Sequence, residues 1–396
     1  MLSSAPTRMA SNKKQALAPT LISSNTKQLL TIDDFRAEAA SKLKKPARDY
    51  YNGGSGEELT LARNESAYRR LLIRPRCLRD VSEVDTSVEW YGEKFRFPIG
   101  IAPTAFHRMA EKNGELSTIR GAALSGSLMI ASSWSTTPIE PMAHEAKTKN
   151  VSLWFQLYVY KDKSITTSLL TRAQDSGYKA IVLTVDTPVL GNRLADARNG
   201  FSLPDGLTFA NFTTLQSSQM PLPSQGQSAF MKYVSTQIDP AMNWQVLEWV
   251  INNSKLPVIV KGVMRGDDAE EAISRGARGI IVSNHGGRQM DSAPATIEAL
   301  PDIVRIVNRR VPVFIDGGIR NGRDVFKAIA LGASGVFIGR PVLWGLSAEG
   351  AEGVSSVMKL LQTEFEHTMK LAGCRSIQEM QQCPDLVVNE SYYSKL

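Results

Sequence analysis

Gly279-Ile280-Ile281-Val282-Ser283-Asn284-His285-Gly286-Gly287-Arg288-Gln289-Met290-Asp291 is an aliphatic run that ends in a dense polar cluster. An unbroken apolar run of this length reads as a strand buried on both faces, as in a parallel sheet. The cluster therefore emerges at a strand's carboxyl end, where α/β barrels keep their chemistry. A histidine, an arginine three residues on and two glycines that let backbone approach a ligand suit an anionic substrate beside a general base. By itself the same cluster also reads as a solvated strand-to-loop turn. The rest of the chain has to decide.

Working outward, the motif is one beat of a repeating pattern. Short aliphatic runs occur at Phe97 to Pro103, Leu128 to Ser133, Leu153 to Val159, Ala180 to Asp186, Pro257 to Gly262, Gly279 to Asn284, Val311 to Gly318 and Val336 to Arg340. Amphipathic helical stretches separate them, such as Asp267 to Arg275, with Ala269, Ala272 and Ile273 on one face. Eight such units predict a (β/α)₈ TIM barrel. A doubly wound open sheet is the alternative, but no GxGxxG follows the first strand. Before the barrel, helical patterns from Thr31 to Tyr51 and over part of 57–90 predict an N-terminal helical cap. After the fourth strand, Asp186 to Trp244 is a long connection with a Gln/Ser/Thr-rich portion, the kind of loop that forms a lid.

The chain of 396 residues is 42% hydrophobic and 21% charged, a globular composition that fits one large domain, taken as 30–390. Residues 1–29 contain no acid and few large apolar residues, and read as a disordered leader, or as an organellar presequence. No apolar stretch is long enough for a membrane span. The net charge of +7 is dispersed among 39 acids, which argues against a nucleic-acid partner. Cys77, Cys374 and Cys383 have no metal-ligand spacing, so no metal is expected.

Each predicted strand delivers polar or glycine residues at its carboxyl end: Thr104, Ser132 with Trp134, Gln156 with Tyr158, Thr184 with Asp186, Lys261, His285 with Arg288, Asp316-Gly317-Gly318, and Gly339-Arg340. A lysine directly after Pro257-Val258-Ile259-Val260 is costly to bury unless it meets an anion. The last two strands bring glycine amides, Arg320, Arg340 and a helix start together, the barrel's usual phosphate site. Flavin mononucleotide fits best: its phosphate would sit there, the other polar side chains would surround the ring, and Lys261 would favour the charged, reduced form. Tyr50-Tyr51 before Gly53-Gly54 reads better, from the residues alone, as a core aromatic and a helix C-cap than as part of the site.

With these residues assembled, the chain resembles the FMN-dependent α-hydroxy-acid oxidase and dehydrogenase family, in its glycolate-oxidising branch. The resemblance runs from about Thr31 to about Cys374. It is carried by SNHGGRQMD at 283–291, LTVDTP at 183–188, FQLYVYKD at 155–162 and IDGGIRNGRDVFKA at 315–328. It implies that His285 is the base, oriented by Asp186, and that Arg193 and Arg288 grip the substrate carboxylate with help from Tyr50. Tyr158 would meet the substrate hydroxyl. Thr104, Ser132, Gln156, Thr184, Lys261 and Ser283 would belong to the flavin-ring site, and Asp316, Gly318, Arg320, Gly339 and Arg340 would hold the ribityl phosphate. The implied reaction takes two hydrogens from an (S)-2-hydroxy acid, by a carbanion or a hydride route, giving a 2-oxo acid. A homo-oligomer, often a tetramer, is also implied.

Trp134 falls where the family lines the substrate side chain, which would favour glycolate; it also reads as a core tryptophan behind the second strand. Phe106-His107 and Gly287 depart from the branch's pattern and leave chain length open. No histidine precedes His107, so a haem domain with paired histidines is not expected and oxygen is the natural acceptor, giving hydrogen peroxide. The tail 391–396 ends Ser394-Lys395-Leu396, a match to the peroxisomal address read by an import receptor.

Overall fold

The computed structural model describes residues 1, 28–212 and 228–395. The leader, the Gln216 to Gln227 portion of the long connection and Leu396 of the terminal triplet lie outside the described residues, apart from Met1, Gln28 and Leu29.

Eight parallel strands close into a barrel, six inside the aliphatic runs and two, β5 and β8, overrunning theirs by one residue: β1 (Ile99–Ile101), β2 (Met129–Ser132), β3 (Leu153–Leu157), β4 (Ile181–Thr184), β5 (Val258–Val263), β6 (Gly279–Val282), β7 (Val313–Asp316) and β8 (Gly335–Ile338). β8 pairs with β1 through Val336 with Ile99, which completes the ring. The runs lack polar alternation because both faces are covered. Ile101, Phe155 and Ile280 pack outward against helices, while Ile130, Trp154, Val182, Ile259, Ile281, Phe314 and Phe337 form a separate cluster inside the barrel.

Strand periodicity then fixes the site. Two residues beyond each interior apolar residue comes the next inward position: Ser132 after Ile130, Gln156 after Trp154, Thr184 after Val182, Lys261 after Ile259, Ser283 after Ile281, Asp316 after Phe314 and Gly339 after Phe337. The polar residues are thus the top layer of the barrel interior, resting on an apolar layer.

The opposite end is plugged by a feature the sequence reading took for a plain connecting segment. Val88–Trp90 and Glu93–Phe95 form a hairpin through Tyr91 and Gly92, both at positive φ, and Trp90 inserts among Trp154, Phe314 and Phe337. The cap is as expected: α1 (Ile32–Lys42) opens with a capping box between Thr31 and Asp34, followed by α2 (Lys45–Asn52) and α3 (Leu59–Arg69). Gly53 ends α2 in extended rather than left-handed backbone. The long connection is not a bare loop: it contains Leu194–Arg198, a 3₁₀ turn at Ala210–Phe212 and Ala229–Gln237, packed over the barrel mouth by Phe201, Phe209 and Phe230. No helix among the described residues is long and apolar enough to cross a membrane.

Candidate active site

A cavity of about 1060 Å³ of empty space, mouth included, opens above the polar layer. It is lined by Tyr50, Thr104, Ser132, Trp134, Gln156, Tyr158, Thr184, Arg193, Lys261, His285, Arg288, Asp316, Gly318, Arg320, Gly339 and Arg340, so the sequence reading's candidates converge on one space. Two do not line it. Asp186 lies behind His285, and Ser283 is fully buried behind Lys261.

His285 sits at φ 58°, a left-handed backbone that few non-glycine residues adopt, with Gly286 and Gly287 continuing at φ 63° and 74°. The turn is held by the Asn284 side chain, which accepts from Gly287 N, and by Ser283 Oγ, which accepts from His285 N at 3.0 Å. The turn aims Nδ1 at Asp186 Oδ1, 2.8 Å away. Burial pushes the imidazole below its ordinary range, with Asp186 acting in the opposite direction. Burial works to raise the Asp186 carboxyl, but His285 and Lys261 outweigh it and leave it below its usual range. Asp186 is thus ionised beside a neutral imidazole, Nδ1 carries the proton, and Nε2 is left as a free base.

Two guanidinium groups stand beside this pair. Arg193 is 4% exposed, its Nε has no hydrogen-bond partner among the described residues, and Asp196 is 4.0 Å away. Burial, then Arg288, lower it to about 10, still protonated at neutral pH. A buried cation short of acceptors is what a carboxylate would satisfy. Arg288 is braced by the carbonyls of Tyr50 and Gly53 at 2.6 and 2.8 Å and lies 4.8 Å over the Tyr50 ring. Tyr50 in turn stacks on Phe201 at 4.4 Å. Trp134 stacks on Tyr158 at 4.2 Å, meets Phe230 edge-on, and donates to Tyr160 Oη at 2.9 Å, so it is a fixed wall of the cavity rather than a core residue elsewhere. Burial raises both Tyr50 and Tyr158, which stay protonated.

On the opposite side, Gln156 donates to Thr184 Oγ1 at 3.0 Å and accepts from Ser133 N at 3.2 Å. Lys261 donates to Ser283 Oγ at 3.0 Å and stands 3.4 Å from Asp316, whose Oδ1 has no partner among the described residues. Gly318 is at φ 80°, and a Cβ there would lie 2.0 Å from Asn64 O, so no side chain fits. At Gly339 a Cβ would meet nothing closer than 3.7 Å and would project into the cavity. Arg320 Nε is buried without a partner among the described residues, while Nη2 donates to Glu65 at 2.8 Å. Arg340 is committed more fully than the sequence implied: its nitrogens donate to Tyr51 O, Gly286 O and Gly53 O at 2.8–2.9 Å, tying the cap to the His285 turn. Asp316, expected from the sequence among the phosphate contacts, lines the cavity with an acceptor oxygen that suits a hydroxyl donor. Sequence reasoning also missed Asn64 on α3, which exchanges amide hydrogen bonds with Asn284 at 2.8–2.9 Å; nothing local marks that long-range pair.

The family model for FMN-dependent dehydrogenase matches residues 39–385. Human 2-hydroxyacid oxidase 1 is 46% identical over 88% of this chain and 94% of its own length. Glycolate oxidase of Spinacia oleracea is 46% identical over 89% and 94%, and an L-lactate oxidase of a Nostoc strain 45% over 89% and 96%. The crystal structure of mandelate oxidase with (S)-4-hydroxymandelic acid superposes with a TM-score of 0.86 at 39% identity, covering 91% of this chain and 99% of that one. The cavity fits the family's cofactor on its own evidence: unpartnered buried donors and an acceptor at Arg320 and Asp316, a cationic Lys261 and a glycine floor at Gly318 and Gly339.

Proposed function

The chain belongs to the family of FMN-dependent dehydrogenases, and from that membership we propose that His285 and Asp186 work as a base pair on a short (S)-2-hydroxy acid. The protein is an FMN-dependent 2-hydroxy-acid oxidoreductase. The observation that carries the proposal is the 2.8 Å contact of His285 Nδ1 with an ionised Asp186 beside the two arginines.

Arg193 and Arg288 bind and orient the carboxylate, as planar forks do better than lysine. His285 Nε2 takes a proton from the substrate, from carbon or from the hydroxyl, and the charge it gains is met by Asp186. Tyr158, protonated, donates to the substrate oxygen. FMN, when bound, accepts the two electrons. Arg320, Arg340 and the amides after β7 and β8 would hold its phosphate, Asp316 would accept from the ribityl hydroxyls, and Lys261 would face negative charge on the ring.

Glycolate is the proposed substrate because Trp134, fixed between Tyr158 and Phe230, leaves little room for a side chain. The names of the relatives span glycolate, lactate and mandelate and do not decide it. Oxygen is the proposed acceptor, giving hydrogen peroxide, as the oxidase names of the relatives support. Measuring kcat/KM for glycolate, L-lactate and (S)-mandelate with oxygen uptake and peroxide formation tests this; mandelate above glycolate would reject the Trp134 argument. A homotetramer and peroxisomal import through Ser394-Lys395-Leu396 belong to the same proposal. Light scattering and the location of a fluorescent fusion with and without the triplet test them.

A further inference from the structure

His107 is fully buried at the start of the loop after β1, and no step above uses it. It stands between Thr118 and Thr104, with Nδ1 2.9 Å from Thr118 Oγ1 and Nε2 2.5 Å from Thr104 Oγ1. The direction of both hydrogen bonds follows from the far end of the chain. Thr118 lies on the helix Glu115–Ser125 and gives its own proton to Gly114 O, four residues back, at 3.3 Å. With that proton placed on Gly114 O, the oxygen accepts from His107 at 2.9 Å, and this assigns the ring proton to Nδ1.

Among the described residues no carboxylate hydrogen-bonds the imidazole, although the charge of Glu115 works to raise it. Glu115, the nearest acid, accepts instead from His107 N, Thr136 N and the hydroxyls of Thr136 and Thr137 at 2.8–3.1 Å. Burial pushes His107 below its ordinary range, so it is neutral and Nε2 is a bare acceptor. Thr104 must then donate its hydroxyl proton to His107, away from the cavity it lines.

We propose that His107 is a positioning residue for the redox step: it locks the Thr104 hydroxyl so that only lone pairs face the cavity. Resting on the FMN reading above, this has a definite sign. An oxygen that can only accept favours an N–H on the group beside it and repels a bare nitrogen. Two-electron reduction of a flavin adds an N–H to the ring system. The chain Thr118, His107, Thr104 therefore biases the cofactor toward its reduced form.

The test is the two-electron midpoint potential of FMN-loaded protein. In His107→Leu the Thr104 hydroxyl is free to turn and donate. The reduced-to-oxidised ratio at fixed potential falls about tenfold, a shift of ~30 mV to lower potential for a two-electron couple. His107→Gln, whose amide can donate to Thr118 and accept from Thr104, restores the parent potential. In a Thr104→Val background the His107→Leu shift disappears. Independently of flavin, the ¹⁵N spectrum of the His107 imidazole shows a protonated Nδ1 and a bare Nε2. An unchanged potential in His107→Leu, a shift that persists with Thr104→Val, or the opposite tautomer would overturn the proposal. Should His107→Leu fail to fold, Thr118→Val frees the tautomer instead and must lower the potential in the same direction. Failure to bind FMN at all would refute the cofactor reading, whereas bound FMN with an unmoved potential refutes only the role of His107.

Discussion

Replacing Asp186 by asparagine keeps the shape behind His285 and removes the charge. In the resting site the imidazole is neutral, so the 2.8 Å contact is a hydrogen bond from a neutral donor. Once His285 has taken the substrate proton the contact becomes an ion pair. At ~4 Å between charge centres and an effective dielectric constant of ~20, that attraction is about 4 kcal/mol. A lower bound is the ~1.5 kcal/mol of a hydrogen bond to a charged group. At 1.36 kcal/mol per decade the rate of flavin reduction should fall between about 10-fold and 1000-fold. KM should move little, because Asp186 does not line the cavity. Lys261 makes the loss worse, since it opposes protonation of His285. The pH dependence gives a second, opposite reading. The base works unprotonated, so activity is lost as pH falls through the His285 pKa, which burial already places below the ordinary value. Asp186 raises that pKa; without it the acid limb moves to still lower pH. Stopped-flow reduction of the flavin across pH measures both. A loss under about 3-fold, or an acid limb that moves upward, would refute the pairing.

Arg193→Lys exchanges a buried fork for a point charge and should lower kcat/KM for glycolate by about 10- to 150-fold, from ~1.5–3 kcal/mol of lost charge-assisted bonding; steady-state kinetics checks this. Trp134→Ala should raise the (S)-mandelate to glycolate ratio of kcat/KM by at least about 10-fold, while the cavity costs ~3–5 kcal/mol of stability, read by denaturant melts. Gly318→Ala should fold poorly and lose FMN, because its Cβ would lie 2.0 Å from Asn64 O at φ 80°; thermal melts and bound-flavin content decide.

The barrel was legible because its strands are buried on both faces, so each appears as an aliphatic run with no polar interruption until the rim. The two-residue period then carries the reading from Ile259 to Lys261 or from Phe314 to Asp316 without any knowledge of the fold. Less was legible where function depends on long-range partners. The hairpin carrying Trp90 looked like a connecting segment because its strands are short and its stabilising contacts come from β3, β7 and β8. The second role of Arg340 was also hidden, since nothing near it in sequence shows the carbonyls of Tyr51, Gly53 and Gly286 that take three of its five N–H donors while it lines the cavity. Ser283 shares the inward face of its strand with the cavity residues but is covered by Lys261. His107 was visible only as a departure from a pattern; its partners are eleven residues on and three residues back, and the direction of its hydrogen bonds needs both.

Transfer of electrons from a 2-hydroxy acid to bound FMN at this site is tested most directly in a single turnover. Purified, FMN-loaded protein mixed anaerobically with glycolate should lose its flavin absorbance in a single turnover, and regain it in air with one peroxide per flavin. Bleaching that persists in air would reject oxygen as the acceptor, and no bleaching with glycolate, lactate or mandelate would contradict the central claim.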